Sequence, residues 1–275
     1  MAFYKSAAVV AGLLVIAVGL MAQAPAIGDR MAGAAATRNL AYGSDADQKL
    51  DVFTPRGASG AAVVVYVHGG GFEGGDKSDY ENLMRWLNEN GLVGVNVNYR
   101  LHPAVSYPAQ EQDVAAVVRW LKANVAKHGG DPNRIVLWGH SSGGSVVASY
   151  VGTKSVYGED PGVKGVAALS APLDMLTWRP AFGYYGRDRA TYAANSPQTA
   201  LLATNVPVLL GVGDNDLPPI RPQQDAAVKV LCAAGKCPQY VVTKGDHMSI
   251  VLDVGDRWDP AFTNALLAFV KKVTA

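Results

Sequence analysis

No basic stripe runs through this chain. Its 24 Lys and Arg are offset by 23 Asp and Glu, and the charges are scattered, which argues against nucleic acid as a partner. The formal net charge is +1 at pH 7, so small neutral substrates held by shape and apolar contact are the expectation. Cysteine is nearly absent, with only Cys232 and Cys237. Two thiols without a nearby histidine make poor zinc ligands, so the pair does not read as a metal centre. Histidine is scarce too, with 5 in 275 residues, and this narrows the choice of a general base.

A long hydrophobic run is also missing. The apolar stretch over residues 7–22 falls short of the roughly 20 residues that span a bilayer. It follows Lys5 and precedes Ala22-Gln23-Ala24 and Ala24-Pro25-Ala26, the layout of an export signal. Cleavage after Ala24 would leave proline first, so cleavage after Ala26 is expected. Residues 1–26 then form a signal peptide, 27–38 a mobile leader and 39–275 one domain. The alternative is an uncleaved membrane anchor; after cleavage no stable span remains. Loss of the signal removes Lys5 alone among charged residues and brings the net charge to zero. The mature protein is expected in the periplasm or secreted. In that oxidising setting Cys232 and Cys237 form a disulfide joining a helix end to the next strand. The ring they close is short, so its stabilisation is about 2 kcal/mol.

What is present is a regular alternation. Residues 62–67, 92–97, 134–138, 163–169, 206–212 and 240–243 are apolar, β-branched runs, the pattern of strands buried on both faces. Helical patterns at 80–90, 110–127, 145–153, 221–234 and 260–273 lie between them. This order predicts an α/β domain, with a mostly parallel twisted sheet and helices on both faces. Residues 41–53 add one or two antiparallel strands at the N-terminal edge. Residues 175–204 break the rhythm, with Trp178, Phe182, Tyr184, Tyr185 and Tyr192 in no clean period. They are expected to form a small irregular cap. Its rings either wall an apolar substrate pocket or pack on the core.

The chemistry concentrates at Gly139-His140-Ser141-Ser142-Gly143-Gly144, directly after a predicted strand and before a predicted helix. Gly-x-Ser-x-Gly there is a nucleophile elbow: a tight turn presents the Ser141 hydroxyl above the sheet. His68-Gly69-Gly70-Gly71-Phe72 follows the strand at 62–67. Its glycines free the backbone to aim N–H groups at a developing oxyanion. Gly70, Gly71 and, through its backbone, Ser142 are the expected donors; His68 is expected to be structural. Among the histidines only His247 lies C-terminal to Ser141, as the order Ser, acid, His requires. The acid is expected at Asp216, three residues past Gly213, with Asp214 the runner-up; Asp246 is expected to shape its loop.

These segments, with Tyr99-Arg100-Leu101, Tyr107-Pro108-Ala109 and Leu50-Asp51-Val52-Phe53-Thr54-Pro55, resemble the α/β-hydrolase superfamily. Within it the chain is similar to the small esterases near hormone-sensitive lipase and the feruloyl-esterase-like bacterial enzymes, across roughly residues 40–273. Two departures stand out. Ser142 sits where relatives more often carry alanine, and the Asp-Pro-Leu acid motif is replaced by Asp216-Leu217-Pro218. The resemblance implies ester hydrolysis, with arylformamidases among the relatives. Ser141, His247 and Asp216 would form the triad, with a small-molecule ester as partner and no metal or organic cofactor. A non-catalytic binding module on the same fold is the remaining alternative.

Overall fold

A computed structural model describes residues 35–178, 183–186, 188–252, 254 and 260–275. The expected signal peptide, and the leader through residue 34, lie outside the described residues. In chain order the elements are β1 (Ala35–Ala41), β2 (Lys49–Thr54), β3 (Ala61–Val67), α1 (Glu81–Glu89), β4 (Val93–Val97) and α2 (Ala109–Asn124). Then follow β5 (Gly130–His140), α3 (Ser142–Tyr150), α4 (Lys154–Tyr157), β6 (Gly165–Leu169), α5 (Arg189–Asn195) and α6 (Pro197–Ala203). The chain closes with β7 (Val208–Gly213), α7 (Ile220–Ala233), β8 (Gln239–Thr243), α8 (Ser249–Leu252) and α9 (Ala261–Val273).

The strands form one 8-stranded sheet in the order β1-β2-β4-β3-β5-β6-β7-β8. β2 runs antiparallel to both its neighbours, and every pairing from β4 to β8 is parallel. Parallel strands need crossovers that cover both faces, and β3 shows the result. Val63, Val65 and Val67 pack with Leu121 of α2, Val147 of α3 and Leu231 of α7. Val64 and Tyr66 pack on the opposite face with Leu83 and Leu87 of α1 and Phe269 of α9. A strand buried on both sides leaves no polar position, hence the unbroken apolar run in its sequence.

Two expectations are corrected. The leader does not extend to residue 38, because β1 begins at Ala35. It is an exposed edge strand without apolar alternation, fastened where Asn39 N–H donates to Asp51 Oδ1 at 2.7 Å. The segment at 175–204 is not wholly irregular, since it contains α5 and α6. Asp188 caps α5 by accepting from Ala190 N–H, and Pro197 opens α6 at a position where a missing N–H costs nothing. Tyr184, Tyr185 and Tyr192 are buried in the core, and Trp178 packs partly buried against it. Core packing therefore accounts for these rings; Phe182 lies outside the described residues. The helix after the elbow begins at Ser142, three residues earlier than the apolar pattern indicated. Cys232, near the end of α7, is joined to Cys237 ahead of β8.

Candidate active site

β5 ends at His140 and α3 begins at Ser142, which leaves Ser141 alone in the turn with φ 52° and ψ −126°. Such backbone angles in a non-glycine residue cost about 1–3 kcal/mol and persist only where the surroundings enforce them. Here Ser141 N–H donates to Leu169 O at the end of β6, 2.9 Å away, and Ser141 O accepts from Ser145 N–H at 3.1 Å. The flanking glycines are dictated by close approach. A Cβ on Gly143 would run into the carbonyl oxygens of Val67 and His68, and one on Gly139 into the Gly143 carbonyl.

His247 lies in the loop between β8 and α8. Its Nε2 is 2.9 Å from Ser141 Oγ, and its Nδ1 is 2.8 Å from Asp216 Oδ1. Asp216, just past β7, also accepts from Leu217 N–H at 2.7 Å and from the Ser170 hydroxyl. Burial pushes this carboxyl up, but the bonds from His247 and Ser170 outweigh it and hold it below the usual carboxylate range. An ionised carboxylate can only accept. Nδ1 of His247 therefore carries the proton, and Nε2 is free to accept from Ser141. Asp214 lies outside this chain: its Oδ1 accepts from Gly245 N–H at 3.0 Å. Asp246 accepts from the N–H groups of Met248 and Ser249, at 3.0 and 2.9 Å, and shapes the His247 turn.

Two members of this array were not singled out as site residues from sequence. Ser170, the polar residue ending the apolar run of β6, supports Asp216. His140 donates from Nε2 to the carbonyl of His247 at 2.8 Å, their rings 4.8 Å apart. Burial, with His247 adding to it, pushes His140 down to about 3, so it is neutral at ordinary pH. A polar residue at the end of a buried strand is the signal that marks both.

The glycine loop lies over the elbow, with Gly69 packed against the Ser141 side chain so that a Cβ there would crowd it. Gly70 and Gly71 take φ of 127° and 66°, conformations that L side chains rarely adopt. Gly70 O turns back to accept from Glu73 and Gly74 N–H at 3.2 and 3.0 Å. His68 is buried, stacks on Tyr99 at 4.6 Å and donates from Nδ1 to Gly69 O, 2.7 Å away. Burial lowers its pKa. Tyr99 OH donates to His68 O at 2.6 Å, which pins the loop's start. Ser142, the first residue of α3, has an N–H with no acceptor inside the helix, at the positive end of the helix dipole.

The strand order, the elbow after β5 and the loops after β3, β7 and β8 define an α/β-hydrolase. The chain belongs to the BD-FAE family, whose sequence model matches residues 50–227. It is 36% identical over 123 residues to Secreted lipase 5 of Gibberella zeae, a match covering 39% of this chain and 22% of that protein. The chain thus matches about a fifth of that relative's length. Kynurenine formamidase of Salmo salar is 27% identical over 248 residues, 85% of this chain and 82% of that one. Among solved structures, Esterase B from Lactobacillus rhamnosis superposes with a TM-score of 0.75 over 90% of each chain, at 21% identity.

Proposed function

We propose that this protein is a serine hydrolase that cleaves carboxylic esters, of short acyl or aryl type, through an acyl-enzyme intermediate. The observation that carries the reading is the unbroken chain from Ser141 Oγ through His247 to Asp216, with each link under 3 Å. Ser141 Oγ attacks the ester carbonyl while His247 Nε2 takes its proton. Asp216 keeps the imidazole in the required tautomer and stabilises the imidazolium without becoming protonated. The N–H groups of Gly70, Gly71 and Ser142 face the developing oxyanion, each contributing about 3 kcal/mol. His247 then protonates the departing alcohol and activates the water that frees the acyl group.

Similarity to a formamidase along most of the chain favours a second reading, cleavage of an aryl formamide by the same residues. A complete triad argues against a mere binding module. Export is proposed as well, supported by the signal-like residues 1–26 and the joined cysteines. The test is a fluorophosphonate probe on the purified protein beside Ser141→Ala. Labelling of the first and not the second is expected, whereas equal labelling of both would remove Ser141 from the mechanism. A panel of p-nitrophenyl esters of rising chain length, with a feruloyl ester and an aryl formamide, then separates the two readings by relative kcat/KM.

A further inference from the structure

Phe72, next after Gly71, is fully buried yet holds φ at 71°. A bulky residue there is an outlier that stands only if its neighbours over-determine it. Its carbonyl accepts from Gln110 Nε2 at 2.9 Å and from His102 N–H at 3.0 Å. Its ring stacks on Tyr184, the centroids 5.1 Å apart and the planes 5° from parallel, and meets Tyr185 edge-on at 5.6 Å. Tyr184 is itself held from α2. Its hydroxyl donates to Glu111 Oε2 at 2.6 Å and accepts from Gln110 N–H at 3.0 Å.

We propose that Tyr184, Gln110 and Glu111 are positioning residues for the oxyanion loop. They hold Phe72 in its left-handed conformation and, through that residue, aim the Gly71 N–H at the space beside Ser141. The inference rests on the hydrolase reading above and deepens it. It gives the Gly183–Gly186 part of the cap a task besides covering the core. It also accounts for a buried carboxyl that no ion pair neutralises among the described residues. Burial pushes Glu111 up to about 7. It accepts from the hydroxyl of Tyr184, and its charge is felt by Tyr185, Tyr107 and Tyr99 and, on its own helix, by Asp113. Protonated, it needs no counter-ion and still accepts from Tyr184.

Tyr184→Phe keeps the stacked ring and loses both hydroxyl bonds; Gln110→Met removes the donor to the Phe72 carbonyl at similar volume. Both are assayed as full-length protein, with active sites titrated by fluorophosphonate. For each we expect kcat per titrated site to fall about tenfold with KM within about twofold, the signature of a misaimed transition-state donor. The inhibition constant of phenylboronic acid, which forms a tetrahedral adduct on serine, should rise in proportion. A fall in kcat under about threefold, or a loss confined to KM, overturns the proposal. Either variant alone decides if the other does not fold. Should the wild-type protein neither label nor hydrolyse esters or formamides, the hydrolase reading fails. The amide resonance of Gly71 still decides the positioning: movement in Tyr184→Phe supports it, and an unmoved signal overturns it.

Discussion

The two sides of the candidate site differ in what is added to their hydrogen bonds. On the base side, His247 is fixed by polar bonds to its ring and its backbone: Asp216 on Nδ1, Ser141 at Nε2 and His140 on the carbonyl. On the oxyanion side, Phe72 is held by bonds to its carbonyl from Gln110 Nε2 and His102 N–H and, in addition, by its ring stacked on Tyr184, which a buried acid anchors in turn. A fully buried ionisable group stands on each side, His140 and Glu111, and the two are displaced in opposite senses. Burial disfavours the charged form of both, so His140 gives up its proton more readily and Glu111 less readily than in water. Polar bonds alone hold the base, whereas the oxyanion loop adds an aromatic stack to its polar bonds.

The sharpest break of that comparison is on the base side. Asp216→Asn should lower kcat/KM roughly 10⁴-fold by offering His247 the wrong hydrogen-bond partner. Asp214→Asn, which touches only a turn amide, should cost under about tenfold; the reverse order in steady-state kinetics would move the acid to Asp214. Next comes His140→Phe, which keeps a ring but frees the His247 carbonyl. A drop in kcat of about tenfold is expected, with KM nearly constant.

The pH dependence of stability separates the sides further. Glu111 binds its proton up to about 7 in the folded chain and up to the ordinary 4.5 when unfolded. The native state therefore holds more protons between those values, and stability falls as pH rises through that window, by about 3 kcal/mol at most. Glu111→Gln should flatten this fall in urea melts between pH 4.5 and 7. His140 has the opposite sign. Its native value of about 3 lies under the ordinary 6.5, so its contribution is lost as pH drops from 6.5 toward 3. The smallest effect is at the staple: replacing Cys232 and Cys237 together by serine should cost about 2 kcal/mol in the same melts, with kcat unchanged.

Much of this molecule was legible in the sequence for one reason. Strands β3 to β7 are mostly buried on both faces, so they print as apolar runs; Ser141 and Asp216 follow two of them, and His247 follows the more exposed β8. Ser141, His247 and Asp216 could be placed by chain order and by the strand each follows. β1 was read too late because an exposed edge strand carries no alternation. The cap helices were missed because each is a single short unit of seven residues, too brief for a 3.6-residue period to show. Glu111 was unreadable in another way. A carboxylate in an amphipathic helix signals a solvated face, and only the fold reveals that Tyr184 descends on it from 73 residues away.

The hydrogen bond from His140 has a consequence for connectivity. His140 is covalently next to Ser141 and is bonded through its ring to the backbone of His247. The end of β5 therefore contacts the loop of the base through a ring as well as through Ser141 Oγ. One side chain thus links the strand end that carries the nucleophile to the loop that carries the base, across a separation of 107 residues in the chain.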